Sequence, residues 1–181
     1  MTRTSAGRRA ASVQPRIRPR KATDRSAWLR LRSRLWPHAS RPRLRREMAE
    51  YEAEPERLAV FVAEGPDAQL LGFLEVSLRP SANGCDGRPV GYLEGWFVIP
   101  SHRRSGVGRA LVAAGEAWAR GHGATWMASD AYRTNRASRA AHAHVGYEEW
   151  VELVHFRKRL GSSGRPRGRG TSPRRRAARS P

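Results

Sequence analysis

The sequence contains one cysteine, Cys85, and no long apolar run. A single cysteine excludes an intrachain disulfide and fits a reducing compartment. No apolar segment approaches the roughly 20 residues that a membrane-spanning helix needs. The N terminus is charged and has no apolar core, so it lacks the pattern of a secretory signal. These absences predict a cytoplasmic protein that does not enter a membrane.

Acidic residues are missing from both ends of the chain. Residues 1–16 contain four arginines and residues 161–181 contain seven, with no Asp or Glu in either segment. Neither end has apolar periodicity, so we expect a disordered basic tail at 1–16 and a disordered Arg-rich tail at 161–181. The 144 residues between them, 17–160, are enough for one domain with its own core.

Lysine is also scarce, since it occurs only at Lys21 and Lys158. The two tails hold 11 of the +19 net charges, all as arginine. The predicted domain itself has neither a basic helix-turn-helix nor the stacked aromatic pattern of a nucleic-acid-binding module. Nucleic-acid contact through the tails stays an alternative function, and base composition of the gene is an equally simple reason for so much arginine.

The apolar pattern of the domain predicts a mixed α+β sheet with helices packed on it. Thr23 or Asp24 is expected to cap a first helix that ends at Pro37. Glycines at 121 and 123 are expected to end a third helix. Strands are predicted near 17–20, 58–63, 70–78, 90–98, 125–129 and within 147–160, and the other helices near 43–53 and 135–144.

The most informative segment joins an apolar strand to a helix that opens on two glycines. The strand stops at Pro100, a polar loop follows, and Gly106 and Gly108 begin the helix. Backbone N–H groups at such a start are unpaired, and glycine lets a bulky anion approach them. Together with the positive charge of Arg103, Arg104 and Arg109, this pattern predicts a pyrophosphate site.

The spacing Arg103-x-x-Gly106-x-Gly108 after a strand resembles the acetyl-coenzyme A motif of the GNAT superfamily of N-acetyltransferases. Over about 17–160, the chain also resembles the aminoglycoside 6'-N-acetyltransferases of that superfamily. The segments that carry this resemblance are Leu35-Trp36-Pro37, Asn83-Gly84-Cys85-Asp86, Tyr92-Leu93-Glu94-Gly95, Met127-Ala128-Ser129-Asp130 and Phe156-Arg157-Lys158-Arg159.

The resemblance implies a GNAT-type mixed central sheet with splayed strands and about four flanking helices. It implies acetyl-CoA as co-substrate, an aminoglycoside 6'-amine as acceptor, antibiotic resistance as the outcome and a homodimer as the assembly. The residues implied for coenzyme A binding are Trp96, Phe97, Val98, Arg103, Arg104, Ser105, Gly106, Val107, Gly108, Arg109 and Asn135. Asn135 is in any case a good helix cap by its residue type.

Two carboxylates are the candidate acceptor ligands. Glu94 lies in an apolar strand, where a carboxylate needs a partner or a function, although an outward-facing strand residue would also explain it. Asp130 follows a strand, and strand ends of this kind commonly line a ligand crevice, although Asp is also an ordinary turn residue. The resemblance assigns both to acceptor binding, with Glu94 or Asp130 also helping to remove the amine proton.

Two more side chains are implied for the acceptor site by the resemblance. Trp36 matches a pocket wall, where an aromatic face attracts ammonium groups, although a core position is the common alternative. The family's further substrate glutamate aligns with Val151 rather than with Glu152, and a shift of one residue on a strand reverses the side-chain face. Ser81 replaces an aromatic residue that borders the pocket in similar enzymes.

His142 stands where many GNAT enzymes carry a tyrosine that protonates the leaving thiolate, four residues before Gly146. Histidine can serve as such an acid near neutral pH, although a histidine on a helix face is often structural. His142 and His144 have no obvious third ligand, so no metal site is expected. Cys85 has no histidine nearby in sequence, which favours direct transfer in a ternary complex over an acyl-enzyme. Another amine, such as a polyamine or a protein N terminus, remains an alternative acceptor.

Overall fold

Five strands form one sheet in the order β1-β2-β3-β4-β5 in a computed structural model that describes residues 14–150. The strands are β1 (Arg16–Pro19), β2 (Leu58–Glu64), β3 (Leu70–Arg79), β4 (Val90–Val98) and β5 (Met127–Ser129). Neighbours are antiparallel except for β5, which runs parallel to β4. The predicted mixed α+β sheet is therefore confirmed.

Within the described residues, four α-helices accompany the sheet, as expected: α1 (Arg25–Leu35), α2 (Arg41–Ala53), α3 (Val107–Gly121) and α4 (Arg136–His144). The predicted cap of α1 is wrong in its chemistry. Asp24 precedes the helix, but its carboxylate accepts from the backbone N–H of Lys21 at 2.7 Å and from Arg18. Helix α2 begins two residues earlier than expected, because Ser40 caps it by accepting from Arg43 N.

Most of the predicted tails, residues 151–160 of the predicted final strand segment and Glu152 lie outside the described residues. Residues 147–150 of that segment are in neither a helix nor a strand. Within residues 14–150, no helix is long and apolar enough to cross a membrane.

The two faces of the sheet bury separate apolar clusters. Trp28 and Met48 pack against one face with Phe73 and Phe97, and this is the side of α1 and α2. The opposite face is covered by α3, which contributes the buried side chains of Val107, Leu111 and Val112 to the cluster there. Because β3 and β4 are covered on both sides, their side chains are apolar on both faces and a buried polar group among them stands out.

A β-bulge in β4 places Glu94 opposite no residue of β3. Glu75 pairs with Gly95 and Val76 pairs with Leu93, so Glu94 is the extra residue. An extra residue shifts the alternation of all that follow it. Accordingly, Trp96 and Val98 join Leu93 on the α3 side, whereas Phe97 joins the α1 side.

Strands β4 and β5 separate after a short paired segment. Their pairing runs from Gly91 with Met127 to Leu93 with Ser129. From Glu94 onward, β4 has no partner on this side among the described strands. The predicted splaying is thus confirmed.

Candidate active site

The loop before α3 forms an open concave backbone site. Arg104 and Gly106 have positive φ angles of 61° and 87°, and a Cβ added to Gly106 would meet nothing within 4 Å. The first hydrogen bond of α3 runs from Ala110 N to Gly106 O. The N–H groups of the first helical turn therefore have no acceptor within the helix. This geometry fits an anionic group such as pyrophosphate.

The arginines of this loop have different positions. Arg103 turns back toward β4, where its Nε donates to Val98 O at 2.9 Å and its guanidinium lies 5.7 Å from the Phe97 ring centroid. It therefore braces the end of the strand. Arg104 is exposed, and Arg109 reaches to within 3.3 Å of His144 Nε2 on α4. The Ser105 hydroxyl donates to His102 O at 2.8 Å.

Gly108 serves a purpose that the sequence pattern did not suggest. A Cβ at this position would lie 2.8 Å from Cζ2 of Trp96. Its small size therefore admits the indole of β4 against the first turn of α3. Trp96 also meets the His142 ring edge-on, with ring centroids 5.8 Å apart.

Asn135 caps α4, as its residue type predicts. Its side-chain oxygen accepts from Ser138 N at 3.1 Å. This cap fixes the start of the helix that carries His142.

His142 lies where β4 and β5 separate. Its Nδ1 is 2.8 Å from the carbonyl oxygen of Ser138, so Nδ1 carries a hydrogen and donates it. Its Nε2 is 3.0 Å from the hydroxyl of Ser129, which is itself 3.1 Å from Leu93 O. Leu93 and Ser129 are the last paired residues of the two strands. The tip of the imidazole is therefore fixed beside the opening in the sheet.

Glu94 is engaged by side chains from β3. Ser77 Oγ donates to its Oε1 at 2.5 Å, and Arg79 donates to both oxygens at 2.9 and 2.7 Å. The Arg79 guanidinium carbon lies 3.3 Å from the centroid of the Tyr92 ring, which is a stacked arrangement. Both members of the ion pair keep partial solvent access, with 38% of the Arg79 side chain and 27% of the Glu94 side chain exposed.

Asp130 is connected to the same network. The phenol of Tyr92 donates to its Oδ2 at 2.7 Å. Burial, followed by this hydrogen bond, raises the pKa of Tyr92, so the phenol keeps its proton and remains a donor. Arg79 on Tyr92 thus links the two carboxylates that the sequence proposed as acceptor ligands.

Trp36 lies on the α1 side of β4. A Cβ on Gly95 would be 2.6 Å from the Trp36 ring, and the Arg32 guanidinium stacks 4.7 Å from the Trp36 ring centroid. The structure therefore places Trp36 beside the residue that follows Glu94. Glu152 lies outside the described residues, and Ser81 is exposed in the loop between β3 and β4.

A fully buried carboxylate, Glu75, lies next to Arg32, the residue that stacks on Trp36. Trp28 Nε1 donates to the Glu75 carboxylate at 2.7 Å, and Arg32 Nε lies 2.9 Å away as an ion pair. That Nε is too poorly aligned to form a hydrogen bond. Burial outweighs the attraction of Arg32 and raises the pKa of Glu75 to about 7.

The sequence alone indicated no role in the site for five residues, which are Ser77, Arg79, Tyr92, Ser129 and Glu75. An acid or a serine in an apolar strand was the available signal, but only strand register shows which side chain each one meets. Within residues 14–150, no group of three or more His, Cys, Asp or Glu residues is arranged to hold a metal ion.

Comparison with known proteins agrees with this architecture. Residues 25–147 match the model of the acetyltransferase (GNAT) family. An aminoglycoside N(6')-acetyltransferase type 1 of Klebsiella aerogenes is 46% identical over 81% of this chain and 97% of its own length.

Two solved structures give the same result. The 6'-N-acetyltransferase AAC(6')-IG of Acinetobacter haemolyticus has a TM-score of 0.74 at 37% identity, covering 81% of this chain and 99% of its own. AAC(6')-Iy, in complex with the bisubstrate analog CoA-S-monomethyl-acetylneamine, has a TM-score of 0.73 at 36% identity, covering 82% and 100%. With its sheet opening, its helix-start loop and these similarities, the chain belongs to the GNAT family of acetyltransferases, in its aminoglycoside N(6')-acetyltransferase group.

Proposed function

We propose that this enzyme transfers the acetyl group of acetyl-CoA to the 6'-amine of an aminoglycoside and thereby confers resistance. The observation that carries the proposal is the joining of Glu94 and Asp130 into one network beside the opening between β4 and β5. An acceptor with several ammonium groups matches two carboxylates, because charge-assisted hydrogen bonds are the stronger ones. The names of the similar enzymes point to the same acceptor.

The coenzyme A site in this proposal runs from the loop before α3 along the free edge of β4. The first-turn N–H groups of α3 and exposed Arg104 and Arg109 suit the pyrophosphate. Trp96, Phe97 and Val98 pair with β3 on one side, and the opposite edge of β4, which has no strand partner within residues 14–150, suits the pantetheine amides. The N–H of Val98 is the proposed donor to the oxyanion that develops on the thioester carbonyl. Asn135 is the proposed contact from α4.

The transfer proceeds directly in a ternary complex. The thioester supplies an activated acetyl group, and the neutral amine nitrogen attacks its carbonyl carbon, so an N–C bond forms and the C–S bond breaks. The acceptor amine arrives protonated, since a lysine-like amine has a pKa near 10.4, and it first loses that proton toward Glu94 or Asp130. His142 acts as an imidazolium, with one hydrogen on Nδ1 bound to the Ser138 carbonyl and a second on Nε2. Its Nε2 gives that proton to the departing thiolate and then takes up, through water, the second proton that leaves the nitrogen as the amide forms.

The acceptor itself is held by Asp130, Glu94 and Trp36, and we keep Glu152 as a further proposed contact. The protein is proposed to be a cytoplasmic homodimer. Light scattering of the full chain at micromolar concentration checks the assembly, and a monomer would contradict it.

The decisive experiment uses the purified full chain, acetyl-CoA and two sets of acceptors. One set carries a 6'-amine, as kanamycin and tobramycin do, and the matched set carries a hydroxyl at that position. We expect turnover of the first set only, with NMR locating the acetyl group on the 6' nitrogen. Transfer to polyamines or peptide N termini instead would refute the aminoglycoside proposal and leave the family assignment intact.

A deletion variant ending at residue 160 tests the Arg-rich tail. Equal activity would assign the tail no part in acetyl transfer.

A further inference from the structure

The position of Arg79 raises a question about acceptor binding. The sequence alone predicts that the Glu94 carboxylate can bind an ammonium group of the acceptor. In the structure, both of its oxygens already accept hydrogen bonds from the guanidinium of Arg79. The proposed acceptor cation and this internal cation therefore compete for one carboxylate.

The arrangement holds Arg79 in place from two directions. Glu94 binds the guanidinium edge through two nearly equal contacts, and the Tyr92 ring lies under its face at 3.3 Å. Ser77 donates a third hydrogen bond to the carboxylate. Planar, two-point binding of this kind is specific to arginine.

Asp130 differs from Glu94 in this respect. It is exposed, and its side-chain hydrogen-bond partner among residues 14–150 is the uncharged phenol of Tyr92. An ammonium group can approach it without displacing another cation. The two carboxylates, which look equivalent in sequence, thus differ in their charge balance.

We propose that Arg79 determines acceptor specificity by occupying Glu94 until an ammonium group of the acceptor displaces it. This inference rests on the proposed function. Because the Arg79–Glu94 pair is partly exposed, its net strength is small enough for exchange. The first ammonium group binds Asp130, and a second one must replace the guanidinium at Glu94. Because the Arg79 guanidinium must first be displaced, the acceptor gains less affinity from its contact with Glu94. This reduction applies only to acceptors with an ammonium group that reaches Glu94.

The test replaces Arg79 with methionine, which keeps an unbranched apolar stem over Tyr92 and removes the charge. We expect the KM of multiply charged acceptors to fall by about fivefold, the equivalent of about 1 kcal/mol, with kcat changing less than twofold. An acceptor with a single amine should show no comparable change. Arg79→Lys keeps the charge but loses the two-point contact, so its KM should lie between those of the wild type and Arg79→Met.

Two controls separate the possible causes. Arg139→Met removes another arginine that binds both oxygens of a glutamate, Glu149. It lowers the total charge of the protein by the same amount as Arg79→Met but leaves Glu94 paired, so the acceptor KM should be unchanged. Arg79→Met in a Glu94→Gln background should have no effect on KM, since the contested carboxylate is gone.

A rise in KM for the Arg79→Met variant, with normal thermal unfolding, would overturn the inference and show that Arg79 positions Glu94 for the acceptor. An equal fall for singly and multiply charged acceptors would overturn it too. Failure of the proposed function looks different, because the wild type itself would then not acetylate 6'-amines. Calorimetric titration of the variants with spermidine, a tricationic probe, would still measure whether Arg79 competes for Glu94. Unchanged spermidine affinity in Arg79→Met would count against the inference.

Discussion

The phenol of Tyr92 donates a hydrogen bond of 2.7 Å to Oδ2 of Asp130, and this bond bridges β4 and the end of β5. Tyr92 pairs with Ala128 in the parallel register, so Asp130 lies two residues beyond that pair. The bond therefore fixes a carboxylate that would otherwise move freely at an exposed strand end.

Replacing Tyr92 with phenylalanine tests this relationship. The ring that stacks on Arg79 is kept and only the donor is lost. We expect the KM of the acceptor to rise about three- to tenfold, because a hydrogen bond to a charged group contributes about 1.5–3 kcal/mol and only part of that is lost at an exposed carboxylate. The KM of acetyl-CoA should stay the same. Steady-state kinetics with each substrate varied in turn measures both, and a change confined to acetyl-CoA would contradict the assignment.

The carboxylates themselves can be neutralised without changing shape. Asp130→Asn and Glu94→Gln each delete one anion that faces a polycation, so we expect a higher acceptor KM with kcat largely retained. The increase should be larger for Asp130→Asn, since Glu94 is already paired with Arg79. If kcat falls instead and the pH–rate profile loses its acidic limb, on which a carboxylate base becomes protonated, the residue also relays the amine proton.

The sequence predicts a feature of this site when the residues that form it lie close together along the chain. The strand, loop and glycine pattern around Gly106 is local, and the structure has the open helix start that the pattern predicted. Glu94 was singled out because a carboxylate is unusual in an apolar strand. Its partner Arg79 lies 15 residues earlier on another strand, and the bulge at Glu94 sets that register. Periodicity alone does not reveal a bulge, so the pairing could not be predicted.

Gly108 is a second case in which the sequence alone does not reveal a tertiary contact. The sequence pattern predicts that Gly108 makes room for a phosphate, because the start of the helix can be recognised in the sequence. The indole that occupies the space comes from Trp96, twelve residues earlier on β4. A local pattern identifies a position that cannot hold a side chain, whereas tertiary packing decides what lies there.

The two glycines should therefore behave differently when replaced by valine. At Gly106, a side chain enters open space at a positive φ, so coenzyme A affinity should fall at least tenfold, about 1.4 kcal/mol, with modest loss of stability. At Gly108, the side chain collides with Trp96, so both affinity and stability should fall. Gly121→Ala, in open space at the other end of α3, is the control and should change neither. Calorimetry with coenzyme A decides, and unchanged affinity in a folded Gly106→Val protein would refute the anion site.

Glu75 gives the folded state a dependence on pH. Its pKa is raised from 4.5 to about 7, so the folded chain binds this proton more tightly than the unfolded chain does. The free energy of unfolding should therefore fall as the pH rises from about 4.5 to about 7. Glu75→Gln removes this titration and keeps an acceptor for Trp28 Nε1.

We expect the wild type to lose about 1–3 kcal/mol relative to Glu75→Gln between pH 5 and pH 8. Urea unfolding of both proteins at the two pH values measures the difference, in which all other titrations cancel. Asp24 does not interfere, because its ion pair with Arg18 lowers its pKa below 3.8. A difference that is constant with pH would show that Glu75 stays ionised in the folded protein.

His142 is the proposed acid for the departing thiolate, and its geometry allows a clean test. The Ser138 carbonyl holds Nδ1, so Nε2 is the atom beside the opening in the sheet. His142→Gln keeps a polar side chain of similar reach but removes the transferable proton. General acids contribute about 100- to 10,000-fold, so we expect kcat to fall at least tenfold. The binding of acetyl-CoA, measured by calorimetry, should be unchanged.

His122→Gln, at the far end of α3, is the matched control and should retain full activity. Ser129→Ala removes the hydroxyl that faces Nε2 and should reduce kcat less than His142→Gln does, because the proton itself remains. A His142→Gln protein with wild-type kcat would assign the imidazole to packing between Trp96 and Tyr147.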